Sequence, residues 1–212
     1  VVFFRGEVGA LLKAAPGALS GRDGEWERLG RLIIAGTIPI VIIGGLFADV
    51  IEARIRTPLI VAVNLVIGSV LLLWVERVGK QSRDPRSLGY GEAFAIGIAQ
   101  AAALAPGLSR SGLTLSLALF LGLSRGPAAR FVFLMSLPAV LAVAAKESLD
   151  LAEIGLAGVP VTLMLTGLVT SAVVGYVTVK YFIKYLAAHS LDVFAYYRLA
   201  LAAVTFVWLL AR

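Results

Sequence analysis

Ala93-Phe94-Ala95-Ile96-Gly97-Ile98-Ala99-Gln100-Ala101-Ala102-Ala103-Leu104-Ala105, then Pro106-Gly107-Leu108-Ser109-Arg110-Ser111-Gly112, then Leu113–Gly122 is the stretch on which the fold turns. Its first part has 13 residues without a charge and its last part 10. A membrane-crossing helix needs about 20 residues, so neither half crosses alone. Pro106 and Gly107 end one helix, and Ser111-Gly112 offers a fresh start to the next. Irregular backbone at membrane depth survives only where protein buries it or where it lines a polar cavity. The stretch therefore predicts a re-entrant helix–loop–helix hairpin over residues 93–122, entering and leaving from one side.

Longer neutral runs surround it. Leu32–Ala48 has 17 residues without a charge, Thr57–Val75 has 19 and Ile154–Val179 has 26. Phe131–Ala145 has 15, between Arg130 and Lys146, whose long side chains can snorkel to the interface. Val193–Ala211 is a fifth span, with Arg198 near its start. Of 212 residues 59% are apolar and 15% charged, and the mean hydropathy is +0.93. Soluble domains carry about a quarter charged residues, so an ordinary soluble enzyme is excluded, as is a disordered chain. The net charge of +6 does not mark a nucleic-acid binder, because the basic residues form neither one run nor one face. The absence of cysteine removes disulfide and thiolate chemistry. The fold class that remains is an all-α integral membrane protein, a polytopic bundle containing the hairpin.

Charge placement orients it. With a re-entrant hairpin, Lys and Arg at positions 5, 13, 22, 28, 31, 77, 80, 83, 86, 125, 130, 180 and 184 fall on one side and those at 54, 56, 146 and 212 on the other. That is 13 against 4, whereas a single crossing would give 11 against 6. The positive-inside rule favours the hairpin, with its mouth toward the cytoplasm. Residues 1–212 read as one membrane domain: 1–31 the end of a preceding helix and a cytoplasmic loop, 32–75 two spans, 93–122 the hairpin and 131–211 three spans. A short amphipathic helix is expected around Val8–Ala15. Val1-Val2-Phe3-Phe4-Arg5 has neither a methionine nor a signal-peptide layout, and a segment upstream of Val1 is expected.

Arg110 carries the functional reading. A charge at membrane depth costs at least about 2.5 kcal/mol unless something compensates it. Asp49, Glu52, Glu76, Glu92, Glu147, Asp150, Glu153 and Asp192 all lie at span ends or in loops, so none answers it from mid-span. Ser109, Ser111 and Thr114 add hydroxyls, and Ser111-Gly112 opens a half-helix whose free amides favour anions. A guanidinium fork among such donors suits a phosphate or diphosphate. The competing reading pairs Arg110 with an acid outside this chain, the small residues serving close packing. Both stay open on spacing alone. Gln100 lies within reach of the tip if its helix is regular, for a ligand or for an interhelical bond. Arg198 reads as a brace, a snorkelling side chain or a headgroup contact; His189 as solvated; Asn64 and Thr37 as interhelical hydrogen-bonders; Trp74, Trp208, Tyr181 and Tyr185 as interfacial belts.

Gly97-Ile98-Ala99-Gln100 with Leu104–Thr114 resembles the second signature of the bacterial undecaprenyl-diphosphate phosphatase family. Gly122-Leu123-Ser124-Arg125, Ala128-Ala129-Arg130-Phe131, Ser136-Leu137-Pro138 and Phe194-Ala195-Tyr196-Tyr197-Arg198 are similar to its later stretches. The resemblance implies a multi-pass enzyme of the bacterial inner membrane. Such an enzyme hydrolyses undecaprenyl diphosphate, recycling the lipid carrier of cell-wall synthesis, and is linked to bacitracin resistance. It implies two inverted repeats, of which this chain would hold one full half and part of the other. Arg110 and Ser109 would then be catalytic, and Ser111, Gly112, Thr114 and Gln100 substrate-binding. The family's first signature, with two glutamates, a serine pair and a histidine, has no counterpart here. By resemblance it holds the nucleophile and the ligands of a divalent cation, Mg2+ or Ca2+, so no metal ligand is expected in this chain, and these residues alone are expected to be inactive. The expected partners are a polyprenyl diphosphate lipid and the bilayer, with a homodimer left open. A transporter or flippase binding the same headgroup without chemistry is the alternative, and a structural membrane subunit a third.

Overall fold

The computed structural model describes residues 2–154 and 160–211. They form α1 (Arg5–Leu19), α2 (Glu25–Ile55), α3 (Pro58–Val78), α4 (Tyr90–Ala102), α5 (Arg110–Phe120), α6 (Arg125–Ile154), α7 (Val161–Leu186) and α8 (Asp192–Leu210), with no strand among the described residues. Five of these helices, α2, α3, α6, α7 and α8, are long and apolar enough to cross a membrane. The all-helical, polytopic class read from the sequence holds.

Neutral runs mark the middles of the spans and understate their lengths. α2 begins at Glu25 rather than Leu32, and α6 at Arg125 rather than Phe131. A helix continues through charged residues whose heads can reach the polar end. The run Ile154–Val179 is not one helix: Pro160 precedes α7, which continues past Lys180 to Leu186. Positions 155–159 of that run lie outside the described residues. The amphipathic segment expected at Val8–Ala15 is the middle of a longer α1, entered by a turn at Phe3–Phe4. Phe4 is packed in the core.

α4 and α5 form a hairpin wedged among the spans. α4 lies along α2, while α5 packs between α3 and α6, and α8 covers α3. The α2–α4 approach depends on facing glycines, since a methyl on Gly97 would overlap the carbonyl of Gly36. Gly97→Ala is therefore expected to destabilise the protein by about 1–3 kcal/mol, the usual cost of overpacking. Thermal unfolding in detergent would measure it, and an unchanged midpoint would refute the close approach.

The two outer ends of the hairpin meet. Ser82 and Arg83 donate their amides to the Gly122 carbonyl at 2.9 and 2.8 Å, and Ser124 N–H donates to Arg83 O at 2.9 Å. The Arg83 guanidinium reaches Glu92 at 2.8 and 3.0 Å and Leu121 O at 2.8 Å, clasping the start of α4 to the end of α5. Beside Arg83, and accepting from Gly89 N–H, the Glu92 carboxyl is held below its ordinary range. A carboxyl lowered by folding stabilises the fold above its unfolded pKa and loses that contribution as pH falls through its folded value. Acidification below the usual carboxylate range is thus expected to lower the thermal midpoint of the wild type more than that of Glu92→Gln. Equal acid sensitivity would exclude the clasp.

The same end gathers other termini. Arg28 of α2 donates to Arg86 O and Leu88 O at 3.1 and 2.9 Å. Glu76, near the end of α3, has a side chain only 3% exposed and accepts from the Arg125 guanidinium, Leu191 N–H at 2.9 Å and Gln81 Nε2 at 3.3 Å. The main core, including Leu32, Leu72, Ile96, Leu119, Phe131 and Leu186, is built from these same helix ends. Positions 28, 76, 83, 86, 92 and 125 thus share one end of the bundle. The other end of the hairpin meets α3 at Asn64, about 9 Å in from the start of that helix and about 21 Å from its far end at roughly 1.5 Å per residue.

Candidate active site

Residues 103–109 link the half-helices and form a tip whose backbone groups are sorted by sign. The amides of Ala103, Leu104, Ala105 and Leu108 turn back on the carbonyls of Ala99, Ala101, Ala102 and Ala105 at 3.0–3.3 Å. Gly107 follows with φ +94°, where a methyl would come within 2.5 Å of Val61 O and 3.0 Å of the Asn64 side chain, so only glycine fits. Ser109 is a non-glycine residue at φ +64° and ψ 109°. Its hydroxyl accepts from Gly112 N–H at 3.2 Å and its carbonyl from Leu113 N–H at 2.9 Å, which caps α5. Strain of this kind persists only where surroundings over-determine it.

The carbonyls of the tip are claimed from other helices. Asn64 Nδ2 of α3 donates to Pro106 O at 2.8 Å. Arg198 Nη2 of α8 donates to Gly107 O at 2.9 Å and Leu108 O at 3.1 Å. Among the described residues, no acceptor meets the amides of Ser109, Arg110 and Ser111. The tip therefore presents donors at a helix N-terminus, where an anion is favoured.

Arg110 opens α5, half-buried, and no described residue accepts a hydrogen bond from its guanidinium. Glu76 and Glu92 are committed to Arg125 and Arg83 at the opposite end. Ser109 is exposed, and Ser111 and Gly112 are half-buried beside it. Thr114 is 1% exposed and donates to Arg110 O at 2.7 Å and Ser111 O at 3.2 Å, so its proton firms the first turn of α5. Gln100 is fully buried, and neither its Oε1 nor its Nε2 has a hydrogen-bond partner, in the tip or elsewhere among the described residues.

Asn64, expected to bond another helix, donates instead to the loop between α4 and α5. Thr37 reaches another helix only weakly, donating to Ile33 O of its own helix at 2.7 Å and to Met135 O of α6 at 3.3 Å. His189 is exposed and stacks on Tyr185 with ring centroids 4.4 Å apart. Arg198 acts as the brace that was one of its three readings, but its acceptors, 91 and 90 residues away in the chain, were not legible. Among the described residues, no three His, Asp or Glu side chains come together as a metal cage. The donors gathered at this tip are of the kind that can bind and orient negative charge.

These features define a class: a multi-span helical membrane protein with a helix–loop–helix hairpin whose tip carries free backbone amides and the Arg110 guanidinium. A family model described as "Bacitracin resistance protein BacA" matches residues 1–204, and the chain belongs to that family. It is 43% identical to the "Undecaprenyl-diphosphatase" of Rubrobacter xylanophilus, over 99% of this chain and 78% of that protein. It is 42% identical to the "Undecaprenyl-diphosphatase 2" of Stutzerimonas stutzeri, over 98% and 78%. The "Undecaprenyl-diphosphatase" of Pseudarthrobacter chlorophenolicus is 36% identical, over 99% and 77%.

Proposed function

We propose that the protein is an undecaprenyl-diphosphatase, a phosphoric-anhydride hydrolase that splits undecaprenyl diphosphate into undecaprenyl phosphate and phosphate in the bacterial plasma membrane. Family membership and the names of the relatives support the activity. The observation that carries the role of this chain is the unanswered Arg110 guanidinium at the start of α5, beside free amides. Its planar fork suits bidentate contact with a phosphoryl group, and the amides add donors that need no reorganisation as charge develops. Ser109 and Ser111 flank that position. The hairpin is re-entrant in this reading, its tip in the membrane interior at the level of Asn64. The divalent cation expected of the family would take its ligands from outside the described residues.

Phosphate release from undecaprenyl diphosphate by protein made from the complete gene tests the activity. Stoichiometric release of phosphate with accumulation of undecaprenyl phosphate is the expected result. Binding of the lipid without release would replace the phosphatase with a flippase or carrier.

A further inference from the structure

Arg198 lies against the loop carbonyls of the tip and has no carboxylate among the described residues to explain it. It is 8% exposed, and among the described residues no acid pairs with it. Burying a guanidinium in this way is costly unless its donors are used. Nη2 is used twice, on the carbonyls of Gly107 and Leu108. Nε is buried without a partner.

The surroundings are cut to admit this side chain. A methyl on Gly68 of α3 would overlap Arg198 Nη2 and come within 2.9 Å of Leu108 O. A methyl on Gly112 of α5 would lie 3.0 Å from Arg198 Nη1. The guanidinium therefore passes between two glycines to reach the loop. A side chain that snorkelled or merely filled space would not be directed at two consecutive carbonyls of the loop.

We infer that Arg198 is a positioning residue for the reaction at the tip. By drawing the Gly107 and Leu108 carbonyls toward α8, it holds the chain in the positive-φ conformations at Gly107 and Ser109 that start α5. The amides of Ser109, Arg110 and Ser111 and the Arg110 side chain are thereby left to the substrate. The reaction clause rests on the phosphatase reading; the control of tip conformation does not.

Two variants approach the contact from different helices. Arg198→Lys keeps the charge but offers a point donor in place of the fork, and Gly68→Ala pushes the native guanidinium aside. In both, amide exchange over residues 107–113 should rise about tenfold or more, while the amides of α3 and α8 keep their wild-type protection. Misplacement of reacting groups by about 1 Å can cost about 10²-fold, so kcat should fall by up to that factor. KM should stay within about threefold, because Arg110 still attracts the diphosphate. Wild-type exchange at the tip in both variants would overturn the inference. Global loss of protection in Arg198→Lys with a silent Gly68→Ala would also overturn it, leaving a packing role. If the wild type releases no phosphate, the phosphatase reading fails, and the exchange measurement still decides whether Arg198 controls the tip.

Discussion

Arg110→Lys is expected to lower kcat/KM for undecaprenyl diphosphate by about 10²–10³-fold, the range found when one preorganised donor to developing charge is removed. Lysine keeps the positive charge and its stem, but it presents a compact ammonium where the substrate needs two parallel N–H donors. Arg110→Ala should be worse, with KM rising as well, because the attraction itself is gone. The fold should survive both changes, since the native side chain is half-buried and serves no described residue as a donor. Phosphate-release kinetics beside a thermal unfolding curve separate the effects. An Arg110→Lys protein with native turnover would remove Arg110 from the site, and one that unfolds early would make it a structural cation.

The second large effect is on stability, and it is asymmetric. Glu76 and Arg125 form an ion pair in which the Glu76 side chain is 3% exposed and that of Arg125 33%. Arg125→Met strands a buried carboxylate, and removing one partner from such a pair costs about 3–5 kcal/mol. Leu191 N–H and Gln81 Nε2 still donate to Glu76, which places the cost toward the lower figure. Glu76→Gln leaves the better-exposed partner, whose guanidinium can turn to water, and should cost clearly less. Thermal midpoints of the two variants in the same detergent test this order. If Glu76→Gln proves the more damaging, the carboxylate matters for its bonds to Leu191 and Gln81 more than for the charge of Arg125.

The spans were legible because lipid imposes a simple demand, a long run without charge, and four of the five expected runs each lie on one spanning helix. The exception, Ile154–Val179, holds the span α7 but begins on the last residue of α6, because Pro160 ahead of α7 breaks a helix without adding the charge that hydropathy would register. The hairpin was legible from two half-length runs around Pro106-Gly107, but the start of α5 was read two residues late, at Ser111-Gly112, whereas Ser109 caps a helix that begins at Arg110. The tip was only half legible. Arg110 stood out as a charge without an answer, yet nothing local says that Thr114 and Gln100 end almost wholly buried. Those outcomes depend on which helices close over α4 and α5. That Asn64 and Arg198 would bond was readable from their types, but their shared target was not, since a carbonyl in need of a donor leaves no mark in residue identity.

The clasp joining Arg83 to Glu92 and Leu121 sets both legs of the hairpin on a common footing. From there α4 and α5 must climb to the same loop, so their 13 and 11 residues act as two legs of a fixed-height ladder. Adding one residue to α5 would lift its first turn by about 1.5 Å and swing Arg110 about 100° around the helix axis. Side chains along these legs can be exchanged at modest expense, whereas a change in their residue count would re-aim the guanidinium altogether.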